Sequence, residues 1–428
     1  MLATPTTAKE RIITVDALRG FALFGIMLAH FIFWYTAGPL PQDLYGKYTD
    51  AGSTVAKYFT DIFVSGKFFA FFSFLFGLSF YLQTGEPGEN KGRAASRFAW
   101  RITLLLLIGM VHHTFWQGDI LSIYAPLGFL LLLARRLSTK WALIIALLLI
   151  VNLPGKIVAV ADLLSPAGSG QAGPDFAAMG AEYDVVIRSK SWLQIFSFNL
   201  RNLPNKFDFQ IQSGRLYMTM GFFLIGMLIG RKKWFEKGEE NRPAWRKLCK
   251  KSAAVSGICL AVGLGLIISN EIGKLGLEQN RAIGFLFNIL FDVFSASLVL
   301  FYISGITLLT FRKSWFRFFN ALVPVGKLAL TTYLTQTAVG LLLFWGIGFG
   351  LYGKTSQGLN YVMAISLFAL QVVFSKWWLR HWQYGIAEWL WRSATMLAWQ
   401  PLRRQKTQPV IRQGSVQTHV TANIEAGS

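Results

Sequence analysis

The chain has 428 residues, 53% of them hydrophobic and only 15% charged, with a formal net charge of +21 and a mean hydropathy of +0.43. A soluble domain carries about 25% charge, so the composition excludes an ordinary soluble enzyme. Apolar runs of about 20 residues recur along the whole length, which indicates an all-α, polytopic integral membrane protein. In that setting the surplus of Lys and Arg marks cytoplasmic loops rather than a nucleic-acid partner.

Ten spans are expected. The first, 15–36, begins VDALRGFALFGIMLAHFIFW. It is too long for a cleaved leader and has no small-residue cleavage site behind it. The second, 59–83, holds FFAFFSFLFGLSF, and a polar glycine-bearing loop follows at 86–97. Spans 98–116 and 119–134 are separated only by Gln117 and Gly118, a helical hairpin. Span five is 141–163. Residues 164–211 form a long extracytoplasmic connection that opens with SPAGSGQAGPD, and Ser191 to Phe198 suit the membrane surface. Span six, 212–230, carries Gly226 and Gly230 in GxxxG spacing, a close-packing device. Spans 252–270, 282–310, 321–349 and 360–379 complete the set, and Gly346 to Gly353 mark a helix exit. Residues 1–400 form one membrane domain with an interfacial helix at its end, and 401–428 a disordered cytoplasmic tail. The cysteines, Cys249 and Cys259, give neither a disulfide framework nor a metal spacing.

Basic residues set the orientation. Placing the N-terminus inside puts Lys91 to Arg101, Arg135 to Lys140, the loop Arg231 to Lys251 and Arg312 to Arg317 on one side, so both termini are expected in the cytoplasm.

Ionisable residues within spans then become the site candidates, because charges in a bilayer core cost roughly 2.5–3.5 kcal/mol each on insertion scales. Asp16 and Arg19 are three apart on one helix face and can pair. Eleven steps bring His30 back to within about 20° of Arg19 and roughly 16 Å along the axis. The two are expected to face one enclosed, wet cavity from opposite leaflets. At the 116–119 hairpin, His112, His113, Trp116 and Asp119 meet at one depth, where an imidazole and a carboxylate form a base and its orienting partner. The bland alternative is that a histidine merely satisfies a backbone carbonyl while Trp116 anchors the helix. Adjacent histidines point in different directions, so only one is expected to face a given site. A metal is not expected, since no complete ligand set is visible.

Lys67 either snorkels or pairs with Asp61. Asp292 lies deep in span eight and needs a partner, with Lys327 or Lys67 as candidates. Thr331, Thr332, Thr335 and Gln336 give span nine a polar face. Beyond span ten, Glu388 and Arg392 are four apart in a Trp-rich amphipathic stretch, with the geometry of an i,i+4 pair.

Four motifs in order resemble the YeiB-like family of bacterial membrane proteins, domain of unknown function 418. They are VDALRGFALFGI, FFAFFSFLFG, WQGDILSIYAPLG, and GKLALTTYLTQ followed by YGIAEWLWRSAT. That family is similar to the wider group of transmembrane acyltransferases. Integral-membrane enzymes that acylate bacterial sugars share an Arg, ten residues, then a His in the first span, and Arg19 and His30 keep that spacing. YeiB-like proteins more often have Asn at the second position. The resemblance implies a multi-pass protein of the bacterial cytoplasmic (inner) membrane. It implies acyl transfer from cytoplasmic acyl-CoA to a hydroxyl or amine on a small molecule or sugar at the outer face.

On that expectation His30, or His112 or His113 with Asp119, serves as base. Asp16, Arg19, Trp116, Asp292 and Lys327 line the substrate path, with Arg19 and nearby basic loops on the donor phosphates. The bilayer is a partner, nucleic acid is not, and a homo-oligomer stays open. The alternative from another class is a transporter or efflux protein in which the same charges bind substrate or protons.

Overall fold

The computed structural model describes residues 12–38, 40–85, 92–165, 176–273 and 280–404. Among the described residues every regular element is helical. The order is α1 (Ile13–Ile32), α2 (Gln42–Gly46), α3 (Ala51–Phe59), α4 (Phe68–Thr84), α5 (Gly92–Phe115), α6 (Leu121–Ala134), α7 (Thr139–Ile150), α8 (Leu153–Leu164) and α9 (Phe176–Arg188). There follow α10 (Trp192–Arg201), α11 (Leu203–Gln212), α12 (Arg215–Arg231), α13 (Arg242–Gly273), α14 (Arg281–Thr310), α15 (Lys313–Lys327), α16 (Ala329–Phe344), α17 (Gln357–His381) and α18 (Ile386–Met396).

By length and composition, six helical stretches suffice to cross a membrane: Ile13–Ile32, Ala51–Thr84, Gly92–Phe115, Gly238–Gly273, Arg281–Thr310 and Gln357–His381. Two bent pairs raise the number to eight. α7 and α8 meet at 47°, and α11 and α12 at 70°. α6 and α16 are apolar but shorter. Six to eight stretches therefore meet this test against the ten spans expected, with α6 and α16 too short to pass it.

The centre is α1, whose buried face includes Asp16, Leu18, Leu23, Met27 and Phe31. Small residues let its neighbours approach. A Cβ on Gly20 would strike the Leu322 carbonyl of α15, and one on Gly326 the Asp16 carbonyl. The second close seam joins α4 to α12. Gly77 meets the Phe223 carbonyl, Gly226 the Phe74 carbonyl and Gly230 the ring of Tyr81. The GxxxG spacing of α12 thus does the packing its sequence announced. Around these seams Phe71, Phe74, Phe222 and Trp245 are fully enclosed. α13 and α14 form a hairpin at the periphery, with many side chains of α13 exposed.

Several boundaries depart from expectation. Expected span nine is two helices, broken at Leu328. The pairs Gly20–Leu322 and Asp16–Gly326 show α15 running against the direction of α1, with its first turns exposed. Only α16 is left for that span, and Lys327 is the last residue of α15. The physical signal was present, since Pro324 and Gly326 both weaken a helix interior.

Expected span two is also broken. A π-helical turn at Thr60–Val64 precedes α4, and Gly66 takes a left-handed φ of 78°. The connection 164–211 is not an irregular loop, because α9, α10 and α11 occupy most of its described part. Most of SPAGSGQAGPD lies outside the described residues, as does the expected disordered tail from residue 405 onward. The tail's first residues are ordered, with Gln383 N–H donating to the Leu402 carbonyl at 2.9 Å.

Candidate active site

Two polar centres lie along α1. At its beginning, the buried Asp16 carboxylate accepts from Arg19 Nη1 at 2.7 Å. Arg19 Nη2 donates to Ser79 Oγ of α4 at 2.6 Å. The i,i+3 pair expected from spacing is present, and it joins α1 to α4.

The second centre is the α5–α6 hairpin. Gly109 allows the two helices to close, because a Cβ there would strike the Ser122 amide. Closure sets His112, in the last turn of α5, against Asp119, just ahead of α6. His112 Nδ1 lies 2.7 Å from Asp119 Oδ1. The carboxylate also accepts from Leu121 N–H at 3.2 Å and Ser122 N–H at 2.7 Å, so it satisfies the start of α6 while it orients the imidazole. With Nδ1–H given to the carboxylate, a neutral ring keeps its lone pair on Nε2. That Nε2 is buried and has no hydrogen-bond partner among the described residues.

Further residues complete the second centre. His30, half-buried, packs edge-on against Trp116 with centroids 4.7 Å apart, and against Tyr35 at 5.2 Å. Trp116 is fully buried and donates from Nε1 to the Tyr35 carbonyl at 2.9 Å. Tyr333 of α16 accepts from Ile120 N–H at 3.2 Å and sets its ring 5.1 Å from His112.

Two cations arrive that sequence reasoning missed. Lys206 of α11 donates to Ser122 Oγ at 2.8 Å and to His113 Nδ1 at 3.2 Å. Its Nζ stands 4.0 Å from Asp119. Arg215, first residue of α12, lies with its guanidinium against the rings of Phe209 and Phe69. The segment taken for an extracytoplasmic loop thus supplies part of the site, and nothing local in the sequence flagged it.

His113 faces elsewhere than its neighbour, as helix geometry requires. Its Nε2 donates to the Asn199 carbonyl at 2.9 Å, the bland role foreseen for one histidine. Both histidines still belong to one network, since Lys206 lies between His113 and Asp119. Among the described residues no three His, Cys, Asp or Glu side chains converge as metal ligands.

The remaining candidates fall outside this centre. Asp292 pairs with Lys156 of α8 at 2.7 Å, not with Lys327 or Lys67. Lys156 lies in the second half of a bent helix, and no spacing rule relates it to α14. Lys327 is half-buried, at the α15–α16 break. Lys67 is fully buried, gives its ammonium to the Asp61 backbone carbonyl at 3.1 Å and sits 4.7 Å from the Phe291 ring centre. Glu388 does not pair with Arg392. It caps α16, accepting from Leu330 N–H at 2.6 Å and Thr331 N–H at 3.1 Å. Four orphan amides at a helix start outcompete one surface cation.

A single enclosed hollow seen by both Arg19 and His30 is not what these contacts show. Arg19 is engaged by Asp16 and Ser79, whereas His30 lies among aromatic rings. An open cavity of about 360 Å³ lies instead between the α6–α7 turn and the end of α12, lined by Arg135, Arg136, Ser138, Arg231 and Lys232.

The His112 centre has the parts of a general base. It holds a buried imidazole, a carboxylate fixing its tautomer, and a free nitrogen. Comparison with known proteins is consistent with the motifs. The family described as "Protein of unknown function (DUF418)" matches residues 229–398. The chain is 29% identical over 430 residues to "Uncharacterized protein YxaH" of Bacillus subtilis (strain 168), covering 94% of this chain and 98% of that one. It is 27% identical over 402 residues to "Uncharacterized protein YeiB" of Escherichia coli (strain K12), covering 91% and 97%. The chain is thus similar to YeiB along nearly its whole length, and its residues 229–398 match the DUF418 family.

Proposed function

We propose that this protein is a transmembrane acyltransferase, moving an acyl group from a cytoplasmic acyl-CoA to a hydroxyl or amine acceptor on the other side. The observation that carries this reading is the His112–Asp119 dyad with its unpartnered Nε2. In the reaction the acceptor oxygen or nitrogen attacks the thioester carbonyl. His112 Nε2 takes the acceptor's proton as the new bond forms. The carbon–sulfur bond then breaks, and the proton leaves with the CoA thiolate as free thiol. Asp119 stabilises the transient imidazolium, as an acid behind a catalytic histidine does. Such a base contributes typically 10²–10⁴-fold.

In this reading all ten helical segments cross the bilayer of a bacterial cytoplasmic membrane, with α6, α16 and the bent pairs as short or broken spans. Both termini face the cytoplasm. Arg19 is engaged by Asp16 and Ser79, so the donor's phosphates fall to the basic cavity at Arg135, Arg136 and Lys232, with Arg231 bracing the α6–α7 turn beside it. Asp292 with Lys156, and Lys327, stand apart from the reacting groups.

The test is release of free thiol from acyl-CoA by purified protein, together with mass spectrometry of small molecules that copurify. Turnover, or a trapped CoA ester, supports the reading. Absence of both across short and long acyl chains overturns it.

The two bent helix pairs favour a second reading, transport without covalent chemistry, since broken helices recur at transporter binding sites. Substrate flux into proteoliposomes lacking any acyl donor would select it.

A further inference from the structure

We infer that the His112 centre takes an acceptor bearing an oxyanion, a carboxylate or a phosphate, and that Arg215 binds that group. The inference deepens the proposed function by naming the charge of the substrate.

Arg215 is exposed at the start of α12. Its guanidinium is held by two phenyl rings, 5.1 Å from the centroid of Phe209 and 5.6 Å from that of Phe69. Among the described residues no carboxylate, carbonyl or hydroxyl accepts a hydrogen bond from it. Arg231 and Arg19, by contrast, do find acceptors, whereas Arg101 and Arg392 are stacked on Trp391 and Tyr384 as Arg215 is on its two rings. Arg231, at the far end of the same helix, donates to the carbonyls of Leu137 and Arg135 at 2.9 and 2.7 Å. Arg19 has Asp16 and Ser79. Arg215 is oriented by stacking while its donors stay unused, the state in which a planar fork is ready for a bidentate oxyanion.

Its place ties it to the reacting groups. Lys206 and Phe209 are three apart on α11, hence on one face. One of them braces the dyad and the other braces Arg215. The ring that stacks on Arg215 and the lysine that contacts the dyad's Asp119 thus belong to one turn of α11. Gly214, in a left-handed conformation with φ of 73°, gives α12 no side-chain cap, which leaves amide donors at the helix start. Charge agrees. Lys206 stands 4.0 Å from Asp119, the carboxylate that His112 and two backbone amides already use, and no carboxylate among the described residues forms an ion pair with Arg215. A neutral acceptor would leave the Arg215 guanidinium without a counter-charge.

The experiment uses the full chain in phosphatidylcholine nanodiscs and follows phenylglyoxal modification of Arg215 by peptide mass spectrometry. One arm adds inorganic phosphate, and the other replaces part of the lipid with phosphatidylglycerol. Arg380, exposed at the end of α17, is the control. The expected result is at least fivefold slower modification of Arg215 in one arm or both, with Arg380 unchanged. Protection by inorganic phosphate points to a soluble oxyanion, and protection by phosphatidylglycerol alone to a lipid-borne one. Equal rates with and without both anions overturn the inference. Because labelling reads binding in the wild-type chain, it does not depend on folding of an Arg215 variant. Missing acyl-CoA turnover would sink the proposed reaction while leaving such protection in place.

Discussion

The beginning of α1 and the α5–α6 hairpin use the same kinds of charged residue to different ends. At Asp16 the groups are engaged: the carboxylate holds Arg19, and Arg19 holds Ser79 of α4. Nearby, Glu388 is likewise spent on the first amides of α16. At the hairpin, Asp119 is also consumed, but what it holds is an imidazole with a lone pair left over. Leaving a buried polar atom unsatisfied costs roughly 1–3 kcal/mol. The Asp16 centre accordingly bonds α1 to its neighbours, and the His112 centre retains reactivity that folding does not require.

The comparison can be broken by substitution. The largest effect is expected from His112→Ala, which removes the free nitrogen. Acyl transfer should fall about 10²–10⁴-fold per folded molecule, beyond any loss of stability from unpairing Asp119. A drop in stability without a drop in turnover would make His112 structural. Next comes Arg19→Gln, which removes the guanidinium from the buried Asp16 carboxylate. Removing one partner of such a pair costs about 3–5 kcal/mol, read as a lower denaturation midpoint. Arg19→Gln combined with Asp16→Asn should recover part of that loss, whereas additive losses would show that the two do not act as a pair.

Gly326→Val should cost about 1–3 kcal/mol by overpacking, because its Cβ would press on the Asp16 carbonyl. The check is thermal unfolding in detergent, and unchanged stability would contradict the α1–α15 seam. The smallest effect concerns Glu388, whose carboxyl is pushed above its ordinary value of 4.5, chiefly by burial. A raised folded pKa contributes stability below the unfolded pKa, and that contribution is lost as pH rises through the folded value. The stability of wild type relative to Glu388→Gln should therefore decline between about pH 4.5 and neutrality. A difference independent of pH would refute the assignment.

What the sequence made legible was local. The Asp16–Arg19 pair follows from a three-residue spacing, the His112–Asp119 contact from a tight hairpin, and the α4–α12 seam from GxxxG. Contacts between distant segments were not legible, because no periodicity relates them. Asp292 finds Lys156 rather than Lys327, Glu388 finds the start of α16 rather than Arg392, and Lys206 comes from a stretch that composition marked as a connection. Its helices, α9 to α11, carry mixed charge and short lengths, so their apolar pattern is weak. The break at Leu328 was foreshadowed by Pro324 and Gly326, yet hydropathy carried across it.

The central claim, that His112 Nε2 is a base left free for chemistry, is tested most directly by thiol release from acyl-CoA. Wild type and His112→Ala should be compared at equal folded concentration, with each variant's unfolding transition measured in the same preparation. The account predicts turnover by wild type and a loss of at least about 100-fold per folded molecule in the variant. Turnover that survives intact in His112→Ala, or none in the wild type, would contradict it.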